Sequence, residues 1–256
     1  MRIFSIAALA AAAMMTAAPG LGVAQSDSDA REAFSQEQRD AIREEIRTYL
    51  LEEPEIMIEV MRELEERRRV AEQRRSEQAL VTLAPQIFDD GYSYVGGNVD
   101  GDVTLVEFLD YRCGFCKRAH SEVAAVLETD ANIRLVIKEF PILGPDSEFA
   151  SRAAMASMKQ QDGELYKAFS DALMEERNVN RAAVERIAGE VGLDWGSLET
   201  EMESPEITEQ IEKNYELAQA LDINGTPAFI IGDEVIRGYV EADVLIEQAE
   251  AARSSN

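Results

Sequence analysis

FLDYRCGFCKRAH, residues 108 to 120, holds the only two cysteines of the 256-residue chain, Cys113 and Cys116, and its only histidine, His120. Three chemistries compete for these side chains: a metal clamp, a nucleophile with its base, and a pair of sulfurs that open and close a disulfide. Just upstream, DVTLVEFLDY is an apolar run too short for an average helix and rich in β-branched residues, which predicts a buried strand. Downstream, CGFCKRAHSEVAAVLE places Ala119, Val123, Val126 and Leu127 on one helical face. IRLVIKEF then predicts a second buried strand, ended by Pro141. Strand, helix, strand in this order implies a right-handed crossover and a parallel pair.

That arrangement sets Cys113 at the opening of a helix, where unpaired backbone N–H groups and the positive helix end favour thiolate over thiol. A free cysteine ionises near pH ~8.5, and this placement lowers that value by several units in Cys-x-x-Cys motifs. Stabilising the thiolate stabilises the reduced form and makes the disulfide a better oxidant. Cys116, nearly one turn on, shares a face with Cys113 and is placed to resolve a mixed disulfide on it. A bridge across Cys-Gly-Phe-Cys closes almost no loop, so it restrains the unfolded chain little and a purely structural role explains it poorly.

His120 lies seven residues beyond Cys113, about 10 Å along a helix axis, too far for an intrahelical cysteine–histidine catalytic pair. It is four residues from Cys116, so copper or zinc binding by Cys113, Cys116 and His120 stays open as an alternative of another class, although no second Cys/His pair completes a structural zinc site. One histidine excludes a His-Glu-x-x-His metalloprotease, and no Walker or Rossmann glycine loop is present. YVGGN, residues 94 to 98, is expected to be a turn.

Residues 145 to 222 form a series of helical segments in which Trp195, between Leu193 and Leu198, is expected to pack. Ala228–Ile231 and Val235–Arg237 then predict two strands of a hairpin turning at Gly232-Asp233, and a helix over about 241–251 closes the chain. Near the other end, Ile42, Ile46 and Leu50 recur every four residues, and Met57, Val60, Met61 and Leu64 follow Pro54 at helical spacing. A long helix with a narrow apolar stripe and charged flanks must pack on a partner, and a second copy of itself is the simplest one. The arginines between Arg67 and Arg75 alternate with glutamates and make a solvated face.

The first 24 residues carry one arginine, an apolar run, Pro19-Gly20 and a small-residue site, the pattern of a cleaved secretory signal peptide. Export implies an oxidising compartment, where two free thiols seldom persist by accident. The formal charge of −25 repels phosphates, so nucleic acid is not an expected partner. The domain organisation expected is a signal peptide over 1–24, a helical extension and oligomerisation region over 25–88, and a catalytic domain over 89–256 with a helical insertion over about 145–222.

Over about residues 92 to 252, the strand, Cys-x-x-Cys helix, strand, helical insertion and Thr226-Pro227 before a hairpin resemble the DsbA-like thiol:disulfide oxidoreductases. The resemblance implies an α/β thioredoxin-like fold and a redox-active Cys113–Cys116 disulfide with no other cofactor. It implies a cis bond before Pro227 beside the sulfurs, with Thr226 and Pro227 shaping the site and presenting backbone to an extended substrate. Phe115 is expected to contact substrate or shield the sulfurs. Glu107, six residues before Cys113, matches an acidic group under the active site that can relay the Cys116 proton, and Lys138 is a candidate partner for it.

Relatives divide into oxidases and isomerases or reductases. Gly114-Phe115 and Thr226 resemble the isomerase side, and YLLEEPEIMIEVMRELEERRR, residues 49 to 69, resembles the helical extension of the suppressor-of-copper-sensitivity, ScsC-type branch, which can form a trimer. The expectation is a periplasmic homo-oligomeric disulfide isomerase or reductase, acting on unfolded or misbridged secreted proteins and serviced by a membrane redox partner. A monomeric DsbA-type oxidase is the alternative.

Overall fold

The computed structural model describes residues 34 to 255; residues 1–24, expected to be a signal peptide, lie outside them. The chain divides into two compact units, one ending at Glu66 and the other beginning at Arg67.

In the first unit, Ser35 caps helix α1 (Gln36–Glu52) in a reciprocal box with Gln38: the Gln38 N–H donates to the Ser35 hydroxyl and the Ser35 N–H to the Gln38 side chain. Pro54 interrupts the chain, and α2 (Glu55–Thr82) follows, running on into the second unit. The apolar stripe faces outward: Ile42, Ile46, Tyr49, Met57, Val60, Met61 and Leu64 are all more than 40% exposed.

The second unit continues through α3 (Ala84–Phe88) into a five-stranded sheet ordered β1 (Tyr94–Gly97), β3 (Ile133–Glu139), β2 (Val103–Leu109), β4 (Ala228–Ile231), β5 (Glu234–Arg237). β2 and β3 are parallel, joined through α4 (Gly114–Thr129), and the other pairs are antiparallel. Between β3 and β4 run α5 (Pro145–Ser157), α6 (Glu164–Glu175), α7 (Arg181–Glu190), α8 (Trp195–Met202) and α9 (Pro205–Ala220), and α10 (Ala242–Ser255) ends the unit. This mixed sheet with helices is the thioredoxin-like fold that the resemblance implies.

Both faces of the sheet are covered, which is why its central strands are nearly continuous apolar runs. Val103, Leu105 and Leu109 join the core with Ala119, Val123 and Val126 of α4, while Val106 and Phe108 join Leu80, Ile87, Leu217 and Leu221 on the other face. The pleat also corrects the expected Glu107–Lys138 pair. Glu107 stands opposite Ile137, and Lys138 opposite Phe108, so alternation sends the two side chains to opposite faces. Lys138, fully buried, instead pairs with Asp90 and donates to the Gln86 carbonyl at 2.7 Å.

The expected turn at residues 94 to 98 is likewise corrected, because Tyr94–Gly97 is an edge strand. Its two glycines give no side-chain pattern, and Gly97 is required there: its φ is +63° and a Cβ would lie 2.6 Å from the Ile133 oxygen. The turn follows, with the Gly101 N–H donating to the Asn98 carbonyl. Trp195 packs as expected, its ring centre 6.3 Å from that of Phe149, at the start of the short helix α8 that its flanking pattern does not announce.

Candidate redox site

Three chain segments converge at the carboxyl end of β2. Asp110, fully buried, organises the first: its carboxylate accepts the Arg112 N–H, the Leu143 N–H and the Ser147 hydroxyl, while its carbonyl accepts the Cys113 N–H. This ties the approach to the cysteines to the loop before α5. Cys113 is then the N-cap of α4, with extended backbone at φ −75°, ψ 116°. The antiparallel register of β2 and β4 supplies the third segment. Ala228 pairs with Phe108, so Thr226 and Pro227, joined by a cis peptide bond, come level with the end of β2. The Gly238 N–H donates to the Pro227 carbonyl at 2.9 Å and fixes that loop to β5.

Cys113 and Cys116 are unbridged and both are buried. The Cys113 thiol donates to the Thr226 carbonyl at 3.2 Å. Its pKa is lowered to about 5, foremost by the Cys116 S–H hydrogen bond, then by the Thr226 side chain and the N–H groups of Cys116 and Phe115, all against the cost of burial. The two N–H groups are too loosely placed for a formed cap hydrogen bond, yet they face the sulfur from the positive end of α4 and draw charge onto it. Cys116 is pushed strongly the other way, first by its hydrogen bond to Cys113, then by burial, with the Glu107 charge adding to both. The two sulfurs are thus split into an anionic nucleophile and a protonated reserve.

Glu107 is buried on the α4 face, and burial raises its carboxyl to about 7 against the pull of His120 and Lys167. Phe115 is 55% exposed at the rim. His120 Nε2 lies 3.3 Å from Asp171 Oδ1. Among the described residues, no three His, Cys, Asp or Glu side chains are grouped to hold a metal ion.

A third buried carboxylate, Glu139, escaped the sequence reading. Tyr111 and Tyr166 donate to its Oε1, each at 2.7 Å, and Ser151 to its Oε2 at 2.7 Å. Burial outweighs these three donors and raises Glu139 to about 7. Tyr111 is visible beside the cysteines, but nothing local in sequence joins it to Ser151 or Tyr166 on the inserted helices. Asp110 was missed for the same reason: two of its partners, Leu143 and Ser147, lie over thirty positions away.

A polarised sulfur pair at a helix start, faced by a cis-proline loop on a thioredoxin-like sheet, defines the class of thiol:disulfide exchange proteins. Within that class the chain belongs to the DSBA-like thioredoxin domain family, whose domain matches residues 104–249, and the copper resistance protein ScsC N-terminal domain matches residues 38–71. A thioredoxin-like oxidoreductase from Silicibacter pomeroyi DSS-3 is 44% identical, covering 67% of this chain and 98% of its own, with a TM-score of 0.65. Proteus mirabilis ScsC in a transitional conformation is 25% identical over 87% of this chain and 100% of its own, with a TM-score of 0.64. Disulfide bond formation protein D of Bacillus subtilis is 24% identical over 60% of this chain and 74% of its own length.

The chain spans about a quarter of the length of the first curated relatives it matches. An example is the Na(+)/H(+) antiporter NhaA of Herminiimonas arsenicoxydans, 27% identical over 68% of this chain and 27% of the antiporter. No helix among the described residues is long and apolar enough to cross a membrane.

Proposed function

We propose that the protein is a periplasmic, homo-oligomeric disulfide isomerase or reductase that acts through Cys113-Gly114-Phe115-Cys116. The observation that carries the exchange chemistry is the opposite displacement of the two sulfurs, with Cys113 ionised near neutral pH and Cys116 held protonated. The Cys113 thiolate attacks one sulfur of a substrate disulfide. The substrate S–S bond breaks, a mixed disulfide forms, and the departing substrate thiolate takes a proton from water. Cys116 then gives its proton to the ionised Glu107 carboxylate and attacks the Cys113 sulfur. The second substrate thiolate leaves, two electrons have passed to the substrate, and Cys113–Cys116 is oxidised. When the substrate attacks its own mixed disulfide first, the result is isomerisation and no net electron transfer.

Thr226 and Pro227 present backbone to the substrate chain, and Phe115 supplies an apolar contact beside it. The outward stripe of α1 and α2 supports self-association, since exposed apolar rows on long helices are covered by partner copies. Several sites around one substrate raise the effective concentration of the second encounter. Residues 1–24 direct export, and a membrane redox partner resets the site.

One observation favours a monomeric oxidase as the second reading: a thiolate as stable as Cys113 makes the disulfide more oxidising. The resting state of the cysteines in cells, trapped with acid and alkylated, separates the two. A mostly reduced pair supports the isomerase or reductase, and a mostly oxidised pair supports the oxidase.

A further inference from the structure

Arg118 stands one turn beyond Phe115 on α4. Its guanidinium carbon lies 4.5 Å from the centre of the Phe115 ring and 4.8 Å from that of Tyr239. Both rings belong to the rim of the redox site. Phe115 sits between the cysteines, and Tyr239 follows Gly238, whose N–H holds the Pro227 carbonyl. Aromatic faces grip a planar cation by its π surfaces and leave its edges, where the N–H donors lie, open to a ligand.

Those donors are not consumed within the protein: among the described residues the Arg118 guanidinium makes no hydrogen bond or ion pair, and it lies over the two rings. Glu122, one turn further along α4, is engaged elsewhere. Its two oxygens accept the Tyr239 hydroxyl and the Ala242 N–H, each at 3.0 Å. The other basic residues flanking the sulfurs are also committed. Arg112 faces Asp146 at 3.6 Å, and Lys117 donates to the Leu173 and Met174 carbonyls, each at 3.1 Å. A chain of formal charge −25 repels an anionic peptide as a whole. A guanidinium held by the two rim rings, with its donors uncommitted, stands against that general field.

We propose that Arg118 is a carboxylate receptor that selects substrate disulfides flanked by Asp or Glu. It pairs in bidentate fashion with an acidic side chain within a residue or two of the substrate cysteine that bonds to Cys113. This rests on the exchange reading above and adds to it a substrate class.

The test uses the full mature chain in its reduced form and two amidated, fluorescence-quenched disulfide peptides that differ only in Asp or Asn beside one cysteine. Wild type is expected to reduce the Asp peptide about five-fold faster, the equivalent of about 1 kcal/mol for a well-oriented surface pair. The ratio falls to about one in Arg118→Ala, is intermediate in Arg118→Lys because an ammonium lacks the bidentate fork, and shrinks at high salt. Equal rates for the two peptides in wild type, or a preference that survives in Arg118→Ala, overturn the proposal while leaving the exchange reading intact. Reduction of neither peptide overturns the exchange reading and the receptor with it.

Discussion

The Cys113 thiol and the Thr226 carbonyl oxygen lie 3.2 Å apart across 113 positions of chain. The same threonine carries a buried hydroxyl with no hydrogen-bond partner among the described residues. A buried hydroxyl left unpaired costs free energy, and the Thr226 side chain is one of the groups that lower the Cys113 pKa. Ionisation resolves the tension: once the thiol proton leaves, the sulfur becomes an acceptor for that hydroxyl.

Thr226→Val removes the hydroxyl while keeping the shape. The Cys113 ionisation then moves upward from about 5, and the thiolate-to-thiol ratio at mildly acidic pH falls by about tenfold for a charged hydrogen bond of about 1.5 kcal/mol. Ultraviolet absorbance of the reduced protein during a pH titration reads this directly. An unchanged midpoint would remove Thr226 from the stabilisation of the anion.

Glu107→Gln is expected to stabilise the fold at pH 8 and not at pH 4. Burial raises the folded-state carboxyl from 4.5 to about 7, so the folded form binds the proton more tightly than the unfolded one. That contribution is complete below the unfolded value and is lost as pH rises through about 7. Replacing the carboxyl by a neutral amide recovers on the order of 3 kcal/mol above that window, visible as a higher Tm. The same variant slows release of the mixed disulfide above pH 7, where the wild-type carboxylate accepts the Cys116 proton.

Lys138→Ala should cost about 3–5 kcal/mol, because it leaves the nearly buried Asp90 carboxylate without its cation. Chemical denaturation measures the loss. Since Lys138 and Glu107 face opposite sides of the sheet, the Glu107 titration, followed by carboxyl NMR, stays in place in any variant that remains folded. Movement of that titration would restore the Glu107–Lys138 pair that the register argues against.

Deleting residues 25–66, which end at the boundary of the first unit, should convert the protein to a monomer by sedimentation. Reduction of a small disulfide peptide is retained, while catalysed refolding of a scrambled, wrongly bridged protein falls at least about tenfold. Full refolding activity in the monomer would detach isomerisation from assembly. The cut stops short of Leu80 and Ile87, which are buried in the core of the second unit.

Much of the fold was legible because its central elements repeat a local signal. Leu105, Val106, Ile133 and Val136 stand in runs that only strands covered on both faces tolerate, and α4 shows its inward face at helical spacing. Tyr94–Gly97 was not legible, since glycine carries no side-chain pattern and the pairing that makes it a strand comes from β3. Within the site, the cysteines stood out by type and spacing, and Thr226-Pro227 and Glu107 followed from the family resemblance. Asp110, Glu139 and Arg118 did not, because an Asp, a Glu or an Arg acquires meaning only from the distant groups that meet it.

By itself the sequence determined the alternation of strand and helix, the placement of Cys113 at a helix start, and the inventory that leaves disulfide exchange as the favoured chemistry. Those properties are local, set by backbone periodicity and residue type over a dozen positions. Only the tertiary structure decided which face of the sheet each charge occupies, so that Lys138 meets Asp90 while Glu107 lies under the sulfurs. It also brought Thr226 to Cys113 and Tyr239 to Arg118. Strand register and the pleat make those choices, and a register is a relation between segments that no single stretch of chain contains.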